Sequence, residues 1–211
     1  MATLIFRTEA EERDGLEAFL RLVTQQTADV DQRYIGFNIL GFDAPVLVTR
    51  CRLLGLDPPR LDIRKYGSRN ICDVMADLTF NGDGGAAVLS RGQKALATRF
   101  GLAVEDDTSG ADVAAMVAAG DYDAIARHCQ ADIDTLKALY RRVYGDWRGG
   151  ILLDLETVAI DHAADYRAFV KPDGRLTDEK KIAADIDHKL EKAALDPYLC
   201  RICCLGYEVL A

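Results

Sequence analysis

ILLDLETVAIDHAADYRAF, residues 151–169, opens with a short apolar run that ends in two carboxylates, Asp154 and Glu156, on either side of one leucine. The apolar run predicts a buried central β-strand over residues 151–158. Residues two apart on a strand point to the same face, so the two carboxylates should stand side by side. Because like charges repel, a protein places such a pair together chiefly to hold a cation. Two ordinary charges at an exposed strand end are the alternative interpretation.

Length and composition are those of an ordinary globular protein with one sizeable core. The chain has 211 residues, of which 49% are apolar and 28% are charged. No apolar run reaches the roughly 18 residues of a membrane span, so no membrane partner is expected. The N-terminal stretch MATLIFRTEAEERDG turns acidic too soon for a secretory signal. A cytoplasmic protein is therefore predicted.

The cysteines lie in apolar segments and are expected to be reduced core residues. There are six, in a chain with no sign of secretion. CRICC at 200–204 has the C-x-x-C spacing of zinc and redox sites. No second pair and no nearby histidine completes such a site, so this role is not favoured.

The net charge of −8 argues against a broad nucleic-acid-binding surface. One local stretch, residues 44–70, is basic, with six basic residues against two acidic ones. It is either a solvated basic face or a local contact for a nucleic-acid strand. Its basic residues are Arg50, Arg52, Arg60, Arg64, Lys65 and Arg69.

Periodicity and turn residues predict a domain in which strands and helices share one core. The predicted strands cover 2–8, 34–40, 151–158, 166–170 and 201–210, with a further short apolar piece around Ile71. The predicted helices cover 8–26, 43–56, 89–102, 121–145 and a lysine-rich insertion at 177–194. A loop is expected at 81–85 and a linker at 146–150.

Two further stretches place polar side chains where a site could form. In GFNILGFDAPVL (36–47), Asn38 ends a predicted strand and Asp43 opens a helix. Asp43 in that position is either a site residue or simply the cap of its own helix. In RHCQAD (127–132), His128 and Asp132 are four apart and share one helical face.

Taken together, these stretches resemble the DEDD superfamily of 3′–5′ exonucleases, which have the ribonuclease-H-like fold. ILLDLET is similar to the first motif of that family, FNILGFDAPVL to the second and YDAIARHCQAD to the third. LEKAALDPYLCRICCLGYE (190–208) resembles the segment that follows the first motif in the branch related to family-B DNA polymerase proofreading domains. The resemblance implies an α/β mixed sheet flanked by helices.

The motifs stand in a different order from that of the family, which a circular permutation explains. The chain runs second, third, first, with Asp43, then Asp132, then the Asp154 pair. We expect one exonuclease domain over 1–211. In it, 2–146 is the C-terminal part of the family pattern and 151–211 the N-terminal part. The predicted strands at 201–210 and 2–8 would then be antiparallel neighbours, with Ala211 near Ala2.

The resemblance implies that two Mg²⁺ or Mn²⁺ ions are held by Asp154, Glu156, Asp43 and Asp132. Four ionised carboxylates in one pocket repel one another, so without metal either a loose site or raised carboxyl pKa values are expected. His128 would handle the attacking water, although it has the side chain of one branch of the family and the spacing of another. The remaining implied contacts are to nucleic acid, from Asn38, Phe42 and Thr157 and from the insertion lysines Lys180, Lys181, Lys189 and Lys192.

The activity expected from this resemblance is removal of nucleotides from the 3′ end of single-stranded DNA. RNA remains an alternative substrate, because no residue is identified that would contact a 2′-hydroxyl. A catalytically inactive nuclease fold that binds nucleic acid or protein is a further alternative. So is an endonuclease of the same fold with a different strand order.

Overall fold

The computed structural model describes residues 2–26, 33–64, 69–79, 91–104, 106–146 and 150–210. Its strands are β1 (Ala2–Ile5), β2 (Tyr34–Gly36), β3 (Ile71–Asp73), β4 (Gly150–Ala159) and β5 (Cys200–Leu210). Its α-helices are α1 (Glu9–Gln26), α2 (Asp43–Leu53), α3 (Val74–Leu78), α4 (Gln93–Arg99), α5 (Val113–Ala119), α6 (Tyr122–Tyr144) and α7 (Glu179–Glu191). Short 3₁₀ helices cover Gly110–Asp112, Ala163–Phe169 and Ala193–Leu195.

The described strands form one mixed sheet in the order β1-β5-β4-β2-β3. β5 is antiparallel to both β1 and β4, whereas β2 is parallel to both β4 and β3. The sheet is flanked by helices, as predicted. β4 is its central strand, as its apolar run predicts, because it pairs along its length with β5 and also with β2.

The first and last strands of the chain are neighbours in this sheet. Ala2 pairs with Tyr207 and Ile5 with Cys204, in antiparallel register. The expected pairing of these two strands is therefore confirmed. Ala211 and most of the predicted 146–150 linker lie outside the described residues, as do Lys65 and the predicted 81–85 loop.

The core lies on both faces of β4, since alternate residues of a strand point to opposite faces. Ile151, Leu153 and Leu155 belong to the cluster formed with α1 and α2, whereas Leu152 packs with Ile133 and other residues of α6. Burying each of these side chains contributes about 1.5–3 kcal/mol. The even-numbered residues of β4 consequently face α6.

Helix α6 covers that second face with the predicted apolar stripe. Asp121 caps the helix by accepting a hydrogen bond from the Ala124 amide at 3.0 Å. Ile125, Cys129, Ile133, Leu136 and Tyr140 are buried, and Val143 packs against the cluster as a partly buried residue.

Arg50 corrects the interpretation of the 44–70 stretch as a basic face. Its guanidinium is buried and donates to both carboxylate oxygens of Glu12, at 2.8 and 2.7 Å, and to Glu9 at 2.9 Å. A buried ion pair of this kind joins α1 to α2 and presents no charge to a ligand. Arg52 and Arg60 are exposed, whereas Arg64 is paired with Asp62.

The predicted strand at 166–170 is wrong, because this segment belongs to the 3₁₀ helix Ala163–Phe169. Tyr166 and Phe169, which a strand would direct to opposite faces, are both exposed. Two short helices, α3 and α5, were not predicted. Other differences lie at element ends, such as the predicted strand at 34–40, which ends at Gly36.

The cysteines are free thiols, as expected, and all are buried except the partly buried Cys72. Among the described helices, none combines the length and apolar character needed to span a membrane.

Replacing Gly206 by alanine is expected to lower the free energy of unfolding by about 1–3 kcal/mol. A Cβ at this position of β5 would lie 2.7 Å from Cys129 Sγ and 3.2 Å from Ile133 Cγ1, both on α6. Denaturant unfolding measures the change. Gly174→Ala is the control, because a Cβ there meets nothing within 4 Å. Equal stability of Gly206→Ala and wild type would show that α6 does not need this close approach.

Candidate metal centre

Two carboxylates stand on the α6-facing side of β4, beyond the point at which its pairing with β2 ends. Asp154 and Glu156 follow Leu152 on this face. In the ladder they are paired with Gly206 and Cys204 of β5. The register then shifts between Glu156 and Thr157, a bulge of the kind that is common beside active sites. The predicted side-by-side pair is therefore present in the structure.

Helix α6 adds Asp132 to this pair. One carboxylate oxygen from each of Asp132, Asp154 and Glu156 lies within 4.8 Å of the other two. We call these three residues the acidic cluster. His128 lies one turn before Asp132, and its Nε2 is 3.9 Å from Asp132 Oδ2. The structure therefore brings residues from the predicted first and third motifs together.

Asp43 adjoins the acidic cluster without belonging to it. β2 pairs with β4 only as far as Leu152, so the amide of Leu155 has no strand partner on that side. Asp43 Oδ1 accepts a hydrogen bond from that amide at 3.0 Å. The alternative that Asp43 caps its own helix is wrong, since the N-cap of α2 is Phe42 and makes no side-chain cap bond. Asp43 instead connects the start of α2 to β4 at Leu155, the residue between Asp154 and Glu156.

Burial is the largest cause of a raised pKa at each of these four carboxyls. It raises the pKa of Asp154 to about 7, with repulsion from Asp132 adding to the effect. It raises the pKa of Glu156 to about 10, with repulsion from Asp154 and Asp132 adding to it. The pKa of Asp43 is well above its ordinary value through burial and the charge of Asp154, and burial also raises the pKa of Asp132. The expected raised pKa values are thus confirmed, and a bound cation would displace the retained protons.

A neighbouring pair orients the buried ring of His128. Its Nδ1 lies 2.6 Å from Oδ2 of Asp106, which also accepts from Lys94 Nζ at 2.9 Å. Burial opposes ionisation of Asp106, but hydrogen bonds from Lys94 and His128 outweigh it and hold its pKa well below the usual range. An ionised Asp106 can only accept, so Nδ1 carries a proton in this contact and Nε2 faces the acidic cluster. That Nε2 is 3.2 Å from Glu156 Oε1.

The donor atoms fit a hard divalent cation. Within the described part of the chain, His128 Nε2 and Asp132 Oδ1 are buried without an aligned hydrogen-bond partner. Leaving a buried polar atom unsatisfied costs about 1–3 kcal/mol, which a ligand at this place would offset. Carboxylate oxygens suit Mg²⁺ or Mn²⁺ better than zinc. Asp106, His128 and Asp132 form a second, overlapping group of potential ligands within 4.8 Å.

Asp73, at the end of β3, supports this site and was missed from the sequence. Its carboxylate accepts from the amides of Asn38 and Leu40, at 3.1 and 3.0 Å, and caps α3 through the Ala76 amide at 3.0 Å. It thereby fixes the turn that leads into Asp43. An aspartate between a short apolar strand and VMADL is a capping signal that could have indicated it.

The predicted substrate residues take up different positions. Asn38 has a left-handed backbone, with φ of 61°, and its carbonyl accepts from the Phe42 amide at 2.9 Å. Phe42 is partly buried and packs against the core. Thr157 is buried, and its hydroxyl donates to the Ala194 carbonyl at 2.6 Å, so only its lone pairs remain for a ligand. Their contacts with substrate stay predictions.

The fold is a mixed sheet flanked by helices, and carboxylates are grouped on its central strand and on α6. These features are those of a nuclease-type domain of the ribonuclease-H-like class. The model of one family, described as the RNase H superfamily, matches residues 2–144. The chain therefore belongs to the RNase H superfamily. Nucleases of this superfamily use divalent metals and act on nucleic acid, which agrees with the grouped acidic residues. Neither curated proteins nor solved structures gave a match.

Replacing Glu156 by glutamine should stabilise the metal-free protein more at pH 8 than at pH 5. Between its ordinary value of 4.5 and about 10, Glu156 holds in the folded state a proton that the unfolded chain releases. Its contribution to stability therefore falls as pH rises through this window. The neutral variant should gain about 1–3 kcal/mol at pH 8 and much less at pH 5.

Denaturant unfolding in a chelator measures both differences, with the exposed Glu179→Gln on α7 as control. A gain that is the same at both pH values would contradict the raised pKa of Glu156.

Proposed function

We propose that this protein is a metal-dependent 3′–5′ exonuclease that removes nucleotides from single-stranded DNA. The observation that carries the proposal is the meeting of Asp132, Asp154 and Glu156 within 4.8 Å, with Asp43 bonded to the amide between the last two. Residues from three separated stretches of sequence, each similar to a DEDD motif, thus lie at one end of β4. Membership of the RNase H superfamily supports the nuclease class.

We also propose that the chain is a circular permutation of the family pattern. The superfamily match ends at residue 144, so it includes Asp43 and Asp132 but not β4. The segment with the first motif follows it and supplies β4 and β5. Antiparallel pairing of β5 with β1 supports an ancestral hairpin at the present chain ends.

Asp43, Asp132, Asp154 and Glu156 would hold two Mg²⁺ or Mn²⁺ ions. Bound there, the ions would activate a water molecule and stabilise the departing 3′ oxygen. His128 Nε2 would accept a proton from the attacking water, because Asp106 holds Nδ1 in the protonated form. Asn38 and Phe42 would line the pocket of the 3′-terminal nucleotide.

The near alternative is a 3′–5′ exoribonuclease, since DNA is favoured only by resemblance to polymerase proofreading domains. Linear DNA and RNA oligonucleotides with a 5′ label, digested in parallel with Mg²⁺ or Mn²⁺, separate the two. A circular single strand separates an exonuclease from an endonuclease, since an exonuclease needs an end. Binding without digestion of any strand would indicate an inactive module and refute the proposal.

Asp154→Asn should lower metal-dependent digestion by at least about 100-fold, equivalent to about 2.7 kcal/mol of barrier. The change keeps the shape of the side chain but removes the charge that a cation needs. Initial rates on 5′-labelled single-stranded DNA measure it. Asp161→Asn, on the exposed turn after β4, should remain at wild-type activity. An active, folded Asp154→Asn protein would exclude Asp154 as a ligand.

His128→Ala should lower kcat by about 100-fold, the usual contribution of a general base. Thermal stabilisation by Mn²⁺ should be largely retained, because the four carboxylates are unchanged. Rate assays and melting curves measure the two effects, with the exposed His188→Ala on α7 as control. Loss of both metal stabilisation and activity would instead identify His128 as a metal ligand.

A further inference from the structure

A groove of about 610 Å³ opens beside the segment that follows β4. One wall is the end of the 3₁₀ helix Ala163–Phe169 with Val170 and Lys171, and the other is residues 195–199 with the end of α7. None of the residues assigned to the metal centre lines it. It is therefore a separate surface, which the proposed reaction does not itself require.

Large apolar side chains line this groove and are exposed. Phe169 is 83% exposed, Tyr198 70%, Leu195 63% and Tyr166 41%. Single exposed apolar residues are common, but several around one concave surface indicate a binding site. Three of these four side chains are aromatic rings, which offer flat faces to a ligand.

The charge of the groove is opposite to that of the protein. Lys171, Lys189 and Lys192 line it together with Asp196, and Lys189 is ion-paired with Asp185. Lys171 and Lys192 therefore leave a small positive excess in a chain whose net charge is −8. Lys189 is held in place by Asp185 and by the Lys171 carbonyl, at 2.8 Å each. A surface that combines rings with positive charge suits a polyanion that carries flat apolar groups.

The groove is joined to the end of β4 that carries the acidic cluster. The Thr157 hydroxyl donates to the Ala194 carbonyl at 2.6 Å, and the Ile160 amide donates to the Leu199 carbonyl at 3.0 Å. Thr157 directly follows Glu156, and Leu195 directly follows Ala194. The groove therefore adjoins the segment Thr157–Ile160, which directly follows the acidic cluster in the chain.

We infer that the groove binds the single strand at nucleotides upstream of its 3′ end. Phe169 and Tyr198 stack on bases, and Lys171 and Lys192 contact phosphates. This inference rests on the proposed exonuclease function. Base stacking on aromatic rings is tolerant of sequence, as an exonuclease that digests along a strand requires. A purely apolar partner would gain nothing from the lysines that line the same groove.

Each ring should contribute about 5- to 100-fold to affinity for a strand long enough to reach it. Hydrolysis of a substrate with one nucleotide should not change when the groove is altered, because that substrate does not reach it. Binding should weaken modestly with salt, because only a few phosphates are contacted.

The test uses the full chain and the double variant Phe169→Ala/Tyr198→Ala, with Lys192→Ala as a second variant. Both kinds of substitution are at exposed positions. Leu53→Ala and Arg142→Ala are controls for exposed apolar and basic side chains outside the groove. The probes are a thymidylate oligonucleotide of about 20 nucleotides, sized to extend beyond a single-strand binding site, and the p-nitrophenyl ester of thymidine 5′-monophosphate.

We expect the double variant to raise the KM for the oligonucleotide at least about 10-fold while hydrolysing the small ester at the wild-type rate. Lys192→Ala should give a smaller rise, and both controls none. Wild-type KM values in both groove variants would overturn the inference and point to a protein partner for this surface.

Failure of the proposed function is recognised separately, as a wild-type protein that hydrolyses neither probe with Mg²⁺ or Mn²⁺. Fluorescence anisotropy of the labelled oligonucleotide then tests, independently of activity, whether the groove binds a single strand. Weaker binding by the double variant than by wild type and Leu53→Ala supports the groove, and equal or absent binding overturns it.

Discussion

Repulsion among buried carboxylates is the constraint to which the rest of the site responds. Asp132, Asp154 and Glu156 share a small volume from which water is largely excluded, and such surroundings favour the uncharged acids. The scaffold holds them together with weak donors. The Cys129 thiol lies 3.3 Å from Asp154 Oδ2, and the Leu155 amide donates its hydrogen bond to Asp43. These contacts hold the acids in place but bring no positive charge to pair with them. The carboxyl oxygens therefore remain available for a cation.

The sheet shows why chain order matters little for such a site. β4 becomes the central strand because both of its faces are apolar, and its neighbours are selected by packing and hydrogen bonding. The helices then pack their apolar faces against the sheet, α6 on one side and α1 with α2 on the other. Carboxylates carried by β4 and α6 meet wherever the backbone is cut, provided that the cut falls outside these contacts.

Periodicity gave most of the elements and the residues of the acidic cluster. The apolar run before Asp154, the stripe on α6 and the i, i+4 spacing of His128 and Asp132 are all local signals. They were sufficient to predict strands and helices on one core, whereas the mixed sheet and the neighbours β1 and β5 were expected from the resemblance to the DEDD family and the permutation. Local signals are also ambiguous in some places, as at 166–170, where a strand was predicted and residues up to Phe169 belong to a 3₁₀ helix.

The supporting contacts could not be predicted, because each joins residues far apart in sequence. Asp106 meets His128 across 22 positions and Asp73 meets Asn38 across 35. The capping signal at Asp73 indicates its bond to α3 but not its bonds to Asn38 and Leu40, and no pattern around Asp106 distinguishes it from a solvated charge. Arg50 shows the reverse case, since a residue counted as part of a basic surface has its charge buried against Glu12.

Asp73 has a consequence for how this site is studied by mutagenesis. One carboxylate caps α3 and holds the two amides that shape the approach to Asp43. Its removal would leave three partly buried amides without their acceptor and loosen the turn that leads into Asp43. If metal ligands were identified only as the acidic residues whose loss abolishes activity, Asp73 would be counted as a ligand in error. Direct measurement of bound cations would return the correct stoichiometry.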